Sequence, residues 1–135
     1  MTKFNKDAYD ACDSKAKNAL RNFLDSFGIY TQVKEEFDAD IKSFEEVLHE
    51  VEVKSTYIDK FKWGSVHIPA RKRKLLKGKT IIFWVMNHDC TKALMIEGKH
   101  MKDEYLENVP NTRNPEGELF YDIPINLCVE VDFCI

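Results

Sequence analysis

The sequence predicts an α/β domain with a mixed central sheet flanked by helices, continued by a C-terminal extension of loops and one strand. Three observations carry this. An early stretch places apolar residues at helical spacing, short strand-like segments follow it, and the run Ile81-Ile82-Phe83-Trp84-Val85-Met86 is apolar on both faces, as a central strand covered on each side must be. At 135 residues the chain is expected to form one domain, 1–135, with a core of its own.

Residues 7–26 read as the first helix, because Ala11, Ala16, Ala19, Leu20, Phe23, Leu24 and Phe27 fall at helical spacing and Gly28 is a natural stop. Residues 29–33 and 37–44 read as two short strands, the second carrying Asp38 and Asp40 on one face. A third strand is expected over 47–56. Residues 57–67 read as a polar and aromatic connection, and Pro69 with Gly78 punctuate a short, basic, amphipathic helix. Two strands follow, 80–87 and 91–97, with His88-Asp89-Cys90 as the turn between them. The first of these is expected to be central and parallel to the 47–56 strand, joined to it by a crossover through the basic helix. Residues 98–126 are rich in Asn, Pro, Gly and acids and read as loops with brief extended pieces. The alternation of Leu127, Val129, Val131 and Phe133 closes the chain with a half-buried strand.

Net charge is only −3, but charge is segregated. Lys60, Lys62, Arg71, Lys72, Arg73, Lys74, Lys77 and Lys79 occur with no acid among them, whereas the chain from Asp103 onward holds eight acids and only Arg113 as a base. Such segregation can build a basic face despite an acidic pI, although an isolated basic run is ordinarily a solvated surface. Cys12, Cys90, Cys128 and Cys134 form no Cys-x-x-Cys pair, and no basic-then-apolar leader opens the sequence, so reduced thiols in the cytoplasm are expected. The longest apolar run is too short to span a bilayer, and no membrane partner is expected.

The chemistry concentrates on the third strand. Successive strand residues point to opposite faces, so Glu50, Glu52 and Lys54 share one face while Val47, His49, Val51 and Val53 share the other. An acid-x-Lys pattern also occurs at Asp13-Ser14-Lys15, Asp40-Ile41-Lys42 and Glu97-Gly98-Lys99. Only Glu52-Val53-Lys54 lies in a valine alternation with a suitably placed upstream acid, Asp40. The ordinary alternative is a solvated strand face with cross-strand ion pairs.

Asp40, Glu52 and Lys54, in that order and spacing, resemble the PD-(D/E)XK nuclease superfamily, the restriction-endonuclease-like fold that includes small Holliday-junction-resolvase-type nucleases. Ala39 stands where the motif's proline would be. The resemblance covers about residues 7–97 and implies an αβββαβ core. It further implies a metal-dependent nuclease that hydrolyses DNA phosphodiester bonds, with Mg²⁺ or Mn²⁺ held by Asp40, Glu52 and the carbonyl of Val53. Lys54 would contact the attacking water or the scissile phosphate. Asp38 and Glu50 share parity with these residues and could bind a second metal or support the first. Asp13 is the acid best placed on the first helix for a similar part.

Arg71, Lys72 and Lys74 are candidates to grip phosphate, and Lys60, Lys62 and Trp63 to hold backbone and stack on bases. Each has an equally simple reading as surface, or as core for Trp63. His49, His67, His88 and His100 show no metal-ligand spacing. His49 falls on the valine face and reads as a buried, hydrogen-bonded imidazole. Two further functions stay open: a non-catalytic nucleic-acid-binding domain on the same fold, and an α/β interaction module with no nucleic-acid role. The sequence also leaves a homodimer open.

Overall fold

Ala16, Leu20 and Leu24 recur at every fourth position and are all buried, which is the stripe a helix needs to lie on a sheet. They belong to α1 (Lys6–Asp25). Its end is a Schellman turn. The Gly28 N–H donates to the Asp25 carbonyl at 2.9 Å and the Ile29 N–H to the Leu24 carbonyl at 3.1 Å, and Gly28 takes a φ of 74° that a side chain would resist. The computed structural model describes residues 6–29, 31–32, 41–43, 47–76, 80–110 and 115–133, with side chains for 14–29, 47–73, 80–110 and 115–133.

The chain is a mixed α/β fold. Nine strands of the described residues form two sheets: β1 (Thr31–Gln32), β2 (Ile41–Ser43), β3 (Leu48–Val53), β4 (Ser65–Pro69), β5 (Ile81–Met86), β6 (Lys92–Glu97), β7 (Leu106–Val109), β8 (Glu118–Pro124) and β9 (Val129–Asp132). The larger sheet has the order β1-β2-β3-β5-β6-β9 and the smaller β4-β8-β7. Among the described residues only β3 and β5 pair in parallel, with Glu52 opposite Val85, and the other ladders are antiparallel. The 81–86 run is therefore an interior strand beside the Glu52 strand and parallel to it, as its two-sided apolar character requires.

Period-two alternation divides the larger sheet into two cores. Val51, Trp84, Met86 and Ala93 pack under α1. On the opposite face Leu48, Phe83, Val85, Leu94 and Ile96 are covered by Val66, Ile68, Tyr121 and Ile123 of the smaller sheet. The second cover departs from the expected layer of helices. The stretch read as a 57–67 connection ends in a strand, β4, and the 98–126 stretch read as loops holds β7 and β8. Val66 and Ile68 do alternate with His67, and Tyr121 and Ile123 with Asp122. What makes them strands is a pairing between segments far apart in sequence, which local pattern cannot reveal. The basic helix is also different: Ala70–Leu76 is 3₁₀, and Pro69 ends β4. Proline is tolerated there because β4 is an edge strand.

Two loops are fixed by side chains. The Tyr57 hydroxyl and the Phe61 N–H both donate to Glu130 Oε2, at 2.9 and 3.1 Å, tying residues 57–61 to β9. Asn87, 1% exposed, donates to the Ile58 carbonyl and accepts from the Thr91 and Lys92 N–H groups, so it joins the same loop to the β5–β6 turn. That turn is structural. Cys90 within it is buried.

The β7–β8 connection depends on Gly117. Its φ is 99°, and a Cβ there would collide with the Asn108 side chain, whose Nδ2 donates to the Glu116 carbonyl at 3.1 Å. Gly117→Ala is expected to cost about 1–3 kcal/mol, read as a lowered midpoint in urea unfolding with unchanged slope. An unshifted midpoint would show that the turn relaxes freely.

Candidate active site

Glu50 and Glu52 project from β3 on the face away from α1, the face shared with Phe83 and Val85 and overlaid by β4. Because β4 is an edge strand, a cleft opens beside it instead of a closed core. The cleft has a volume of about 370 Å³ and is lined by Glu52, Lys54, Phe61, Trp63, His67, Pro69, Val85 and Phe120, with the 64–66 backbone. Glu52 and Lys54 thus enter one cavity, as their shared parity predicted. A smaller crevice of about 30 Å³ alongside holds Glu50, Glu52 and Lys72.

Water reaches Glu52 from the cleft, yet protein atoms crowd it. Burial raises its pKa above the ordinary carboxylate value, against the opposing pull of Lys72, Lys54 and Arg71. Three cations therefore do not fully offset the lost hydration. Such a carboxylate suits a site that gains a further cation. Glu50 is buried, and its Oε2 lies 3.5 Å from Lys72 Nζ. Lys54 Nζ sits 4.5 Å from the centre of the Trp63 ring, which stands 5.0 Å from the Phe61 ring. The aromatic face holds the ammonium at the cleft without consuming a carboxylate.

The remaining candidates are distributed as follows. Arg71 is exposed, its Nε 3.9 Å from Glu118 Oε1. Lys72 is half-buried beside Glu50, so part of the basic run already serves an internal ion pair. Lys60 and Lys62 are exposed on the loop before β4 and do not line the cleft. The Val53 side chain packs with the α1 core, leaving its carbonyl as the group that could serve a cation. Asp38 and Asp40 lie outside the described residues, as do the side chains of Asp13 and Lys74. Ile41, next in sequence to Asp40, pairs with His49 on β3.

Sequence reasoning missed the cleft's other wall. Phe120, Pro69 and His67 reach it only because β4 and β8 pair, and His67 there meets Asp122 and Glu107. Burial pushes the Cys128 thiol up to about 11. Among the described residues no helix is long and apolar enough to cross a membrane. Compared with known proteins, the chain matches no family model, no curated protein sequence and no solved structure.

Proposed function

We propose that the protein is a metal-dependent nuclease that hydrolyses DNA phosphodiester bonds. The observation that carries this reading is the pairing of Glu52 and Lys54 in one cleft, a carboxylate beside an ammonium, with Arg71 and Lys72 close enough to act on the same carboxylate. Phosphodiester hydrolysis needs groups of this kind: a carboxylate to hold a cation, and a proton-bearing cation near the attacking water. The order β1-β2-β3 with β5 parallel to β3 matches only the strands of the αβββαβ core that the motif implies; β4 and a 3₁₀ segment stand where that core has its second helix.

In this reading Glu52, Asp40 and the Val53 carbonyl hold Mg²⁺ or Mn²⁺, which when bound activates water and stabilises the leaving oxygen. Lys54 orients the water or the phosphate, and its perch on Trp63 fixes its position. Arg71 and Lys72 offset phosphate charge, and the exposed Trp63 ring, backed by the half-buried Phe61, offers stacking surface. Glu50, paired with Lys72, keeps that lysine at the crevice.

The test is incubation of labelled single-stranded, duplex and branched DNA with and without Mg²⁺. Metal-dependent cleavage of any of them supports the proposal. Binding without cleavage favours a non-catalytic nucleic-acid-binding domain, and neither favours an interaction module.

A binding prediction follows from the basic stretch. Each phosphate neutralised releases condensed counterions, so log affinity for duplex DNA falls with log salt by roughly 0.9 per contact. Arg71→Ala with Lys72→Ala is expected to flatten that slope by about one to two and weaken binding evenly across sequences, whereas Lys99→Ala, exposed and 3.3 Å from Glu97, leaves it unchanged. A double variant with the wild-type slope would move the phosphate contacts to Lys60 and Lys62.

A further inference from the structure

Three strands of the smaller sheet bring His67, Asp122 and Glu107 together on one face. His67 on β4 stands directly opposite Asp122 on β8. Glu107 on β7 stands opposite Phe120, two residues from Asp122, and so is the diagonal neighbour whose longer side chain can reach across. Both carboxylates converge on one nitrogen: His67 Nε2 lies 3.2 Å from Asp122 Oδ1 and 3.6 Å from Glu107 Oε2.

We propose that these three side chains form a site for a divalent transition metal of the class that accepts one imidazole and two carboxylates, with Zn²⁺ as its probe. Cross-strand ion pairing alone leaves the group unbalanced. A neutral imidazole carries one N–H and can serve one carboxylate, and among the described residues neither Asp122 nor Glu107 has a lysine or arginine partner. Asp122 Oδ1 is a buried atom on a partly exposed side chain and makes no hydrogen bond, although it lies 3.2 Å from His67 Nε2. A buried acceptor left in this state is costly, and a dication bound by all three side chains would satisfy it.

The geometry is close to what such an ion needs. The three ligand atoms all lie within 4.8 Å of one another. Metal–ligand distances of about 2.0–2.2 Å place tetrahedral ligands roughly 3.3–3.6 Å apart. The separations at His67, 3.2 and 3.6 Å, lie just below this range and at its upper end, and the exposed Glu107 side chain can turn to close the third. The Phe120 ring, 5.6 Å from the imidazole, restricts how the histidine rotates. Three protein ligands leave a fourth position for water, and His67 itself lines the Glu52 cleft. The ion would bind β4, β8 and β7 together and set positive charge at the cleft wall. None of this depends on nuclease activity.

The experiment is equilibrium dialysis of Zn²⁺ against the whole protein. Wild type is expected to bind one ion at this site, and His67→Ala, Asp122→Asn and Glu107→Gln each to bind it at least about tenfold more weakly, the lower bound for disturbing even an outer partner of a metal ligand. Glu52→Gln is expected to keep wild-type Zn²⁺ affinity here. Far-UV circular dichroism checks each variant's fold; His67 and Glu107 are exposed, and the two amide replacements preserve shape. The proposal is overturned if wild type binds no Zn²⁺, if His67→Ala binds as tightly as wild type, or if Glu52→Gln loses the ion while His67→Ala keeps it. The last result would assign the ion to the Glu52 cleft and leave the proposed function standing.

Discussion

Glu52→Gln is expected to lower Mg²⁺-dependent DNA cleavage by about a thousandfold or more while leaving the protein folded. The amide keeps the shape of the carboxylate and removes its charge. A metal-assisted hydrolysis that loses a ligand forfeits several kcal/mol of transition-state stabilisation, and each 1.36 kcal/mol is a factor of ten in rate. Folding responds differently, because the exposed Glu52 side chain is only partly desolvated in the cleft. Removing its charge relieves that partial desolvation and gives up attraction to Lys72, Lys54 and Arg71. The two changes oppose each other, so the melting temperature should move by only a few degrees in either direction. Lys54→Ala should cut cleavage as well, and lose about 0.5–1 kcal/mol of stability with its contact to Trp63. Undiminished cleavage in Glu52→Gln would remove Glu52 from the metal site and with it the motif on which the site rests.

The parts of this structure that sequence discloses are those set by local periodicity. Ala16, Leu20 and Leu24 fix the buried face of α1, and Gly28 marks its end because only a residue free to take positive φ closes that Schellman turn. Period two on β3 sends Glu52 and Lys54 to one side and His49, Val51 and Val53 to the other, and that division became the division between cleft and helix-covered core. The smaller sheet was not legible. Its strands gain their character from the β4–β8 register, in which Val66 meets Ile123 and Ile68 meets Tyr121 across a long sequence gap. Everything built on that register was hidden too: the Phe120 and Pro69 wall of the cleft, and the His67, Asp122 and Glu107 cluster. Charge counting could not show that Lys72 also has an internal partner, Glu50, 3.5 Å away.

Acid should destabilise the protein through His49, well above the pH at which ordinary carboxylates titrate. His49 is 3% exposed on the helix-facing side of β3, and its Nδ1 accepts a hydrogen bond of 3.0 Å from the Trp84 indole N–H. Its Nε2 is buried with no partner. Protonation would put charge into this core and force Nδ1 to give up the indole, and burial lowers the pKa from 6.5 to about 4. The unfolded chain therefore binds a proton at higher pH than the folded one, so stability is full above about pH 6.5 and falls as pH drops towards 4. Between pH 7.5 and 4.5 the loss from this group alone should be about 2–3 kcal/mol. Glu52 works the other way: its raised pKa means the folded state takes up a proton first, which offsets a little of the loss at the acid end. His49→Gln separates the two contributions, since the amide oxygen can still accept from Trp84 but does not titrate. Urea unfolding of both proteins at pH 7.5 and 4.5 should show the wild type losing about 2–3 kcal/mol more than the variant. Equal losses in the two proteins would mean that His49 takes up its proton as readily in the folded as in the unfolded state, and that the acid sensitivity belongs to the carboxylates.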